Sequence, residues 1–338
     1  MNYQNISINK AMYKNGETSF AAQLEALDPT ANYQNTELSS LDAYQRQLKR
    51  FDIQVGGSRS SRLEKFFQNA ESAVLFPEYI IRAVRQGMEE NNALASVIAA
   101  KTFISATDYR GLTTDDDLEA DETNEATGLS TTTISLKSAT TALKKRGRLL
   151  RASYEAIKFQ RLDLFTIALR QMGAEIAHGQ LADAVDVLLN GDGSTGSQPT
   201  AITTADTTLA YADLITLWSQ FDHYQMNTLL VSPAMAAEIL ALEAFCDPST
   251  GLHFQNTGKL GTPMGAEMIA CSDVPDGTII ALDRRYALEM VVGDEVTVDA
   301  DRLIDSQLER AAVSSIAGFS MIFPDAVKVM TVKTASST

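Results

Sequence analysis

The chain has 338 residues, of which 45% are hydrophobic and 21% charged, enough apolar side chain for a core and enough length for two or three folding units. A formal charge of -15 excludes a protein that wraps nucleic acid through its phosphates, which takes clustered Lys and Arg, but not one that merely encloses it. Two cysteines, Cys246 and Cys271, cannot build a disulfide framework, and the longest apolar stretch, Ala93 to Ala100, is far short of the roughly 20 residues that span a bilayer.

The polar opening Met1 to Lys10 has no signal-peptide pattern, so the expected setting is the cytosol, with reduced thiols and no membrane. Residues 1 to 70 are Asn/Gln-rich with scattered aromatics at Tyr3, Tyr13, Phe20, Tyr33 and Tyr44. Such a stretch predicts an extended arm with one short helix near Leu38 to Leu48, draped over something else. From Leu75 a compact unit begins, with Pro77 placed for a helical first turn and an apolar pattern through Tyr79, Ile80, Ala83 and Val84.

After Val97 to Ile104 the charge segregates. Asp115, Asp116, Asp117, Glu119, Asp121, Glu122 and Glu125 crowd one loop, Thr131 to Lys137 alternates like a strand, and Lys144, Lys145, Arg146, Arg148 and Arg151 follow. This predicts a long hairpin with an acidic tip and a basic base. Solvated charge runs are the plainer reading. Opposite signs on one hairpin favour docking, because identical copies can lay the acidic tip of one on the basic base of the next.

Asp163 is a candidate N-cap for the longest helical pattern, which carries Phe165, Leu169, Met172 and Ile176 on one stripe and runs to Leu189 with Gly191 as terminator, a rod of about 40 Å. A Gly/Ser break follows, and from Pro199 short helices and strands alternate: Leu209 to Tyr224, Thr228 to Val231, Pro233 to Leu242, Glu267 to Cys271, Thr278 to Leu282 and Tyr286 to Val292. In the tail, Glu295 to Asp299 alternates and Gln307 to Phe323 and Ala326 to Val332 are β-rich, so the tail is expected to return to the first unit.

Few residues suggest chemistry. Gly191-Asp192-Gly193-Ser194-Thr195-Gly196 matches the dinucleotide fingerprint in letters, but a helix precedes it where a strand is needed, so it reads as a flexible loop. His178, His223 and His253 share no metal-ligand spacing, and the acidic cluster lacks the central glycine of a calcium loop. No nucleophile elbow or Walker loop occurs. Neither a catalytic residue, a metal nor a cofactor is expected.

The ordered series resembles the major capsid proteins of tailed bacteriophages, the Hong Kong 97 fold, an α+β architecture. The likeness spans about residues 71 to 334. It is carried by the arm, the Phe76 to Gly87 helix, the hairpin, Leu149-Leu150-Arg151-Ala152-Ser153 leading into the long helix, Leu188-Leu189-Asn190-Gly191-Asp192-Gly193, Leu230-Val231-Ser232-Pro233, Val296-Thr297-Val298 and Phe323-Pro324-Asp325-Ala326-Val327-Lys328-Val329. The resemblance implies an N-terminal arm over 1–74, a peripheral domain over 75–106, 139–199 and 292–338 with the long helix as spine, an extended loop over 107–138 and an axial domain over 200–291. It further implies hexamers and pentamers in an icosahedral shell around double-stranded DNA, with a separate scaffolding protein, a portal and decoration proteins as partners and assembly in the host cytoplasm. Some relatives weld subunits through a loop lysine and an asparagine. Here the matching stretches, Thr127-Gly128-Leu129 and Asp301 to Leu308, contain neither residue, so no such bond is expected. With only about 70 residues before the resemblance begins, the arm is expected to stay uncleaved. Two alternatives stay open: an encapsulin-like nanocompartment shell, and a cytosolic nucleotide-binding or hydrolytic enzyme built on 200–291.

Overall fold

A computed structural model describes residues 3–13, 18–90, 93–105, 108–114, 122–125, 129, 131–246, 263–303 and 308–334. In chain order, helices α1 (Phe20–Leu27), α2 (Ala43–Arg50), α3 (Ala70–Val74) and α4 (Phe76–Glu90) precede strands β1 (Ile98–Phe103), β2 (Leu112–Thr114), β3 (Ile134–Leu136) and β4 (Lys144–Ser153). Next come α5 (Tyr154–Phe159), the long α6 (Leu162–Asn190), β5 (Thr200–Thr203), α7 (Tyr211–Ser219), β6 (Thr228–Val231), α8 (Pro233–Ala241) and α9 (Glu243–Cys246). The chain closes with β7 (Glu267–Ala270), β8 (Thr278–Leu282), β9 (Leu288–Leu303), β10 (Leu308–Met321) and β11 (Val327–Thr331). Residues 1–91, 146–177 and 296–315 form one compact unit and the rest of the chain a second, so β4, α6, β9 and β10 each contribute to both.

The first unit corrects the expectation of an extended arm with one short helix. Ser19 caps α1 by accepting from the Ala22 amide, and Asp42 with Gln45 forms a reciprocal capping box on α2. The few apolar residues of this segment, among them Phe20, Leu24, Tyr44, Leu48, Ile53, Leu63 and Phe66, enter one core with Leu75, Tyr79, Ile80 and Val84 and with Leu162, Phe165 and Leu169 of α6. Its polar groups are paired internally. Arg46, wholly buried, donates to the Asp28 carboxylate (2.6 Å), the Leu41 carbonyl (2.5 Å) and Thr30 (3.2 Å), and its guanidinium lies over the Tyr33 ring. A polar composition thus folds onto its own unit because its buried polar groups find partners there.

Glycines set how closely α4 and α6 approach. A Cβ on Gly87 would stand 2.0 Å from the Arg170 carbonyl oxygen, and one on Gly173 would stand 2.1 Å from that of Val84. Hydrogen bonds from the Tyr79 hydroxyl to the Leu162 carbonyl (3.0 Å) and with Thr166 (2.7 Å) fix the same crossing. The helix α6 starts at Leu162, so Asp163 lies in its first turn, accepting from the Leu164 amide (3.0 Å), and is not the N-cap.

In the second unit a five-stranded sheet has the order β5-β11-β8-β6-β7. Period-2 alternation sends Leu229, Val231, Ile279 and Ala281 to one face, packed with Leu214 and Leu217 of α7 and Met235 and Ile239 of α8. Leu230, Ile280 and Leu282 go to the other, with Leu181, Val185 and Leu188 of α6. Ser232 caps α8 through the Met235 amide, with Pro233 at its first position. A second correction concerns only the end of the tail: Val296–Ser315 joins the first unit, but β11 pairs antiparallel with β8 and parallel with β5. Buried on both faces, its apolar residues suit a central strand of that sheet. The remaining long strands form the four-stranded sheet β1-β9-β10-β4.

Candidate inter-subunit contact site

Strands β2 and β3 form a separate two-stranded ribbon with Leu112 opposite Leu136, Thr113 opposite Ser135 and Thr114 opposite Ile134. The pleat gathers Leu112, Leu136 and Ile134 on one face and the polar Thr113 and Ser135 on the other. These three apolar side chains are 57%, 65% and 67% exposed. Water therefore meets the face that the pattern would bury.

At the ribbon's root the chain turns inward. The Lys137 amide donates to the Gly111 carbonyl (2.9 Å) and the Thr141 amide to that of Tyr109 (2.8 Å). The Lys137 side chain, 6% exposed, carries its ammonium to the Asp192 carboxylate (2.5 Å), itself 4% exposed, and to the Met321 carbonyl. Asp192 also accepts from Ser320 Oγ (3.1 Å) and from the Met321 and Ser194 amides (3.1 and 3.0 Å). Burial opposes its charge, yet the Lys137 ammonium and the Ser194 amide hold the carboxyl down at about 2. The glycine-rich loop Gly191 to Gly196 thus presents an internal ion-pair partner. Positive φ at Gly191, Gly193 and Gly196 gives it the sharp path, after a helix as the sequence order requires.

The basic block is placed differently from expectation. Asp115, Asp116, Asp117, Glu119 and Asp121 lie outside the described residues, while Glu122 is exposed. Lys144, Lys145, Arg146, Arg148 and Arg151 all fall on β4, at the edge of the four-stranded sheet next to β10 and not on the ribbon. One hairpin therefore does not carry both blocks. The reason is pairing: β3 ends at Leu136 against β2, and the chain crosses to a different sheet before the basic run starts. Lys145, Arg148 and Arg151 are exposed and Arg146 half-buried. Lys144 already meets Asp183 (2.8 Å) and Asp186 (3.9 Å) of its own chain.

Sequence reasoning missed the ribbon's apolar face and the Lys137–Asp192 pair. Alternation through Ile134 and Leu136 announced a strand but not which side stays bare, and a lysine in such a run reads as solvated. Among the described residues no group of His, Cys, Asp and Glu could hold a metal ion. His178 and His223 are exposed, and His253 lies outside the described residues. No helix among them is long and apolar enough to cross a membrane.

No curated protein matches the chain. Solved structures share its fold at low identity. The virus-like particle from Pyrococcus furiosus has TM-score 0.52 and 14% identity, with 75% of this chain and 99% of that chain covered. A capsid of an empty GTA particle has TM-score 0.53 and 16% identity over 72% and 90% of the two chains. The holo-SrpI encapsulin complex from Synechococcus elongatus PCC 7942 has TM-score 0.51 and 14% identity over 69% and 84%. The architecture is the α+β Hong Kong 97 capsid fold. The model of the phage capsid protein family matches residues 137–321, more than half of the sequence, and the chain belongs to that family. It is accordingly a shell-forming major capsid protein of the bacteriophage virion.

Proposed function

We propose that this subunit assembles through its ribbon, laying the apolar face of β2 and β3 on a neighbouring copy in hexamers and pentamers of an icosahedral shell that encloses double-stranded DNA. The observation that carries this reading is the bare face of Leu112, Ile134 and Leu136. An isolated two-stranded ribbon is marginal in water, and three large apolar side chains gathered on one side of it lack a cover among the described residues. In this reading 107–138 is the extended loop and the 200–291 sheet, completed by β11, the axial domain. Helices α4 and α6 with the long strands make up the peripheral domain, and the first 74 residues cap it. The basic edge of β4, from Lys144 to Arg151, and the acidic block from Asp115 to Glu122 add weak attraction between copies, each exposed pair contributing about 0–1 kcal/mol. The wall performs no catalysis, binds DNA without reading its sequence, and relies on separate scaffolding, portal and decoration proteins. Its assembly takes place in the host cytoplasm.

The test is the double substitution Leu112→Ser and Leu136→Ser. Folded subunits that no longer yield closed particles by negative-stain microscopy are expected, whereas normal shells from the double variant would refute the ribbon contact. Nuclease-protected DNA extracted from wild-type particles checks the cargo, and its absence would favour a nanocompartment.

A further inference from the structure

The ribbon's apolar face is bare, so its direction depends on its root, where polar contacts replace an apolar core. On the entry side the Tyr109 hydroxyl donates to Glu289 (2.7 Å), which also accepts from Thr102 Oγ1 (2.5 Å). On the exit side the Lys137 ammonium reaches the Asp192 carboxylate, whose side chain is 4% exposed, and the buried Met321 carbonyl. Gly111 lies between them, with so little room that a Cβ there would stand 2.5 Å from Ser320 Oγ, the hydroxyl that donates to Asp192. The acceptor is itself locked, since the Asp192 amide donates to Ser197 Oγ (3.2 Å) and Ser197 Oγ to the Ser194 carbonyl (2.9 Å).

A buried lysine–carboxylate pair is a poor source of net stability, because desolvating two charges offsets most of their attraction. Its strength is geometric: with no water to substitute, only one arrangement satisfies every donor and acceptor. We propose that Lys137 and Asp192 act as positioning residues, a lock that sets the angle at which the ribbon leaves the subunit and thereby the curvature with which copies join. The inference rests on the ribbon contact proposed above, because a ribbon that touched no neighbour would have no angle to set.

The test pairs Lys137→Met with the double variant Lys137→Met/Asp192→Asn, which leaves no orphan carboxylate. Both are compared with Lys137→Arg, which keeps the cation. Hydrogen exchange at residues 109–114 and 134–141 is read on unassembled subunits, and particle shape by electron microscopy. Loss of charged hydrogen bonds is expected to speed exchange at the root by about tenfold to a hundredfold. The double variant is expected to melt cooperatively yet give open or misshapen assemblies, with closed shells partly restored by Lys137→Arg. Unchanged exchange at the root overturns the lock, as does failure of both Lys137→Met variants to fold, which would make the pair a stability element. Faster exchange with shells of wild-type diameter instead overturns the coupling to curvature. If Leu112→Ser/Leu136→Ser also assembles normally, the fault then lies with the ribbon contact and not with the lock.

Discussion

Replacing Arg46 by methionine should cost the first unit far more than an ordinary surface change. The substitution conserves much of the side-chain length but removes donors to the Asp28 carboxylate and carbonyl, to Thr30 and to the Leu41 carbonyl. Asp28 is 1% exposed, and after the change its carboxylate keeps the Tyr33 hydroxyl at 2.8 Å. Breaking a buried ion pair by removing one partner costs about 3–5 kcal/mol, since the other charge stays buried without compensation. For a unit of roughly 140 residues this lowers the melting temperature by about 10–15 °C. Calorimetry and urea unfolding of unassembled subunits provide the measurement. The companion variant Arg46→Met/Asp28→Asn should recover part of the loss, because no orphan charge remains. A loss below about 1 kcal/mol for Arg46→Met, or no recovery in the double variant, would refute the claim that the polar N-terminal segment is an integral part of its own subunit's fold.

Gly173→Ala should force α4 and α6 apart, because its Cβ would stand 2.1 Å from the Val84 carbonyl oxygen, a backbone atom that cannot rotate away. The expected loss is about 1–3 kcal/mol or more by urea unfolding, against a gain of a few tenths if the helices were free to part. A second expectation concerns acid. Burial works against the charges of Asp192 and Asp283, but Lys137 in one case and Arg285, Asn227 and the Gln225 amide in the other hold both carboxyls down at about 2, below the ordinary 3.8. Groups with depressed values stabilise the fold above the unfolded value and lose that contribution as pH falls, so the second unit should weaken between about pH 4 and pH 2. Urea midpoints measured across that range should fall for the wild type and less steeply for Asp192→Asn.

Much of the architecture was legible in residue order. A 3.6-residue period ended by Gly191 marked α6, the run Pro233 to Leu242 marked α8, and short runs of β-branched and aliphatic residues marked β6 and β8. These signals are local, written in spacing and caps that operate within a turn or two, and their order carried the resemblance to the capsid fold.

Partners far apart in the chain were decided only by tertiary structure. The N-terminal segment read as an arm because its apolar residues are sparse, and its core forms only when Phe20, Leu24, Tyr44 and Leu48 meet α4 and α6. Membership of β11 in the second unit's sheet depends on β5 and β8 rather than on its own alternation. The basic run looked like part of the hairpin because it follows closely in sequence, yet hydrogen bonding assigns it to another sheet. Lys137 stood in the sequence only as the end of an alternating run, and burying its charge became possible only with Asp192, 55 positions away. A sequence therefore determines by itself what short-range periodicity and capping encode. Which charges are buried and which apolar faces stay bare is settled when the fold brings distant partners together, because the cost of desolvating a group depends on what it meets.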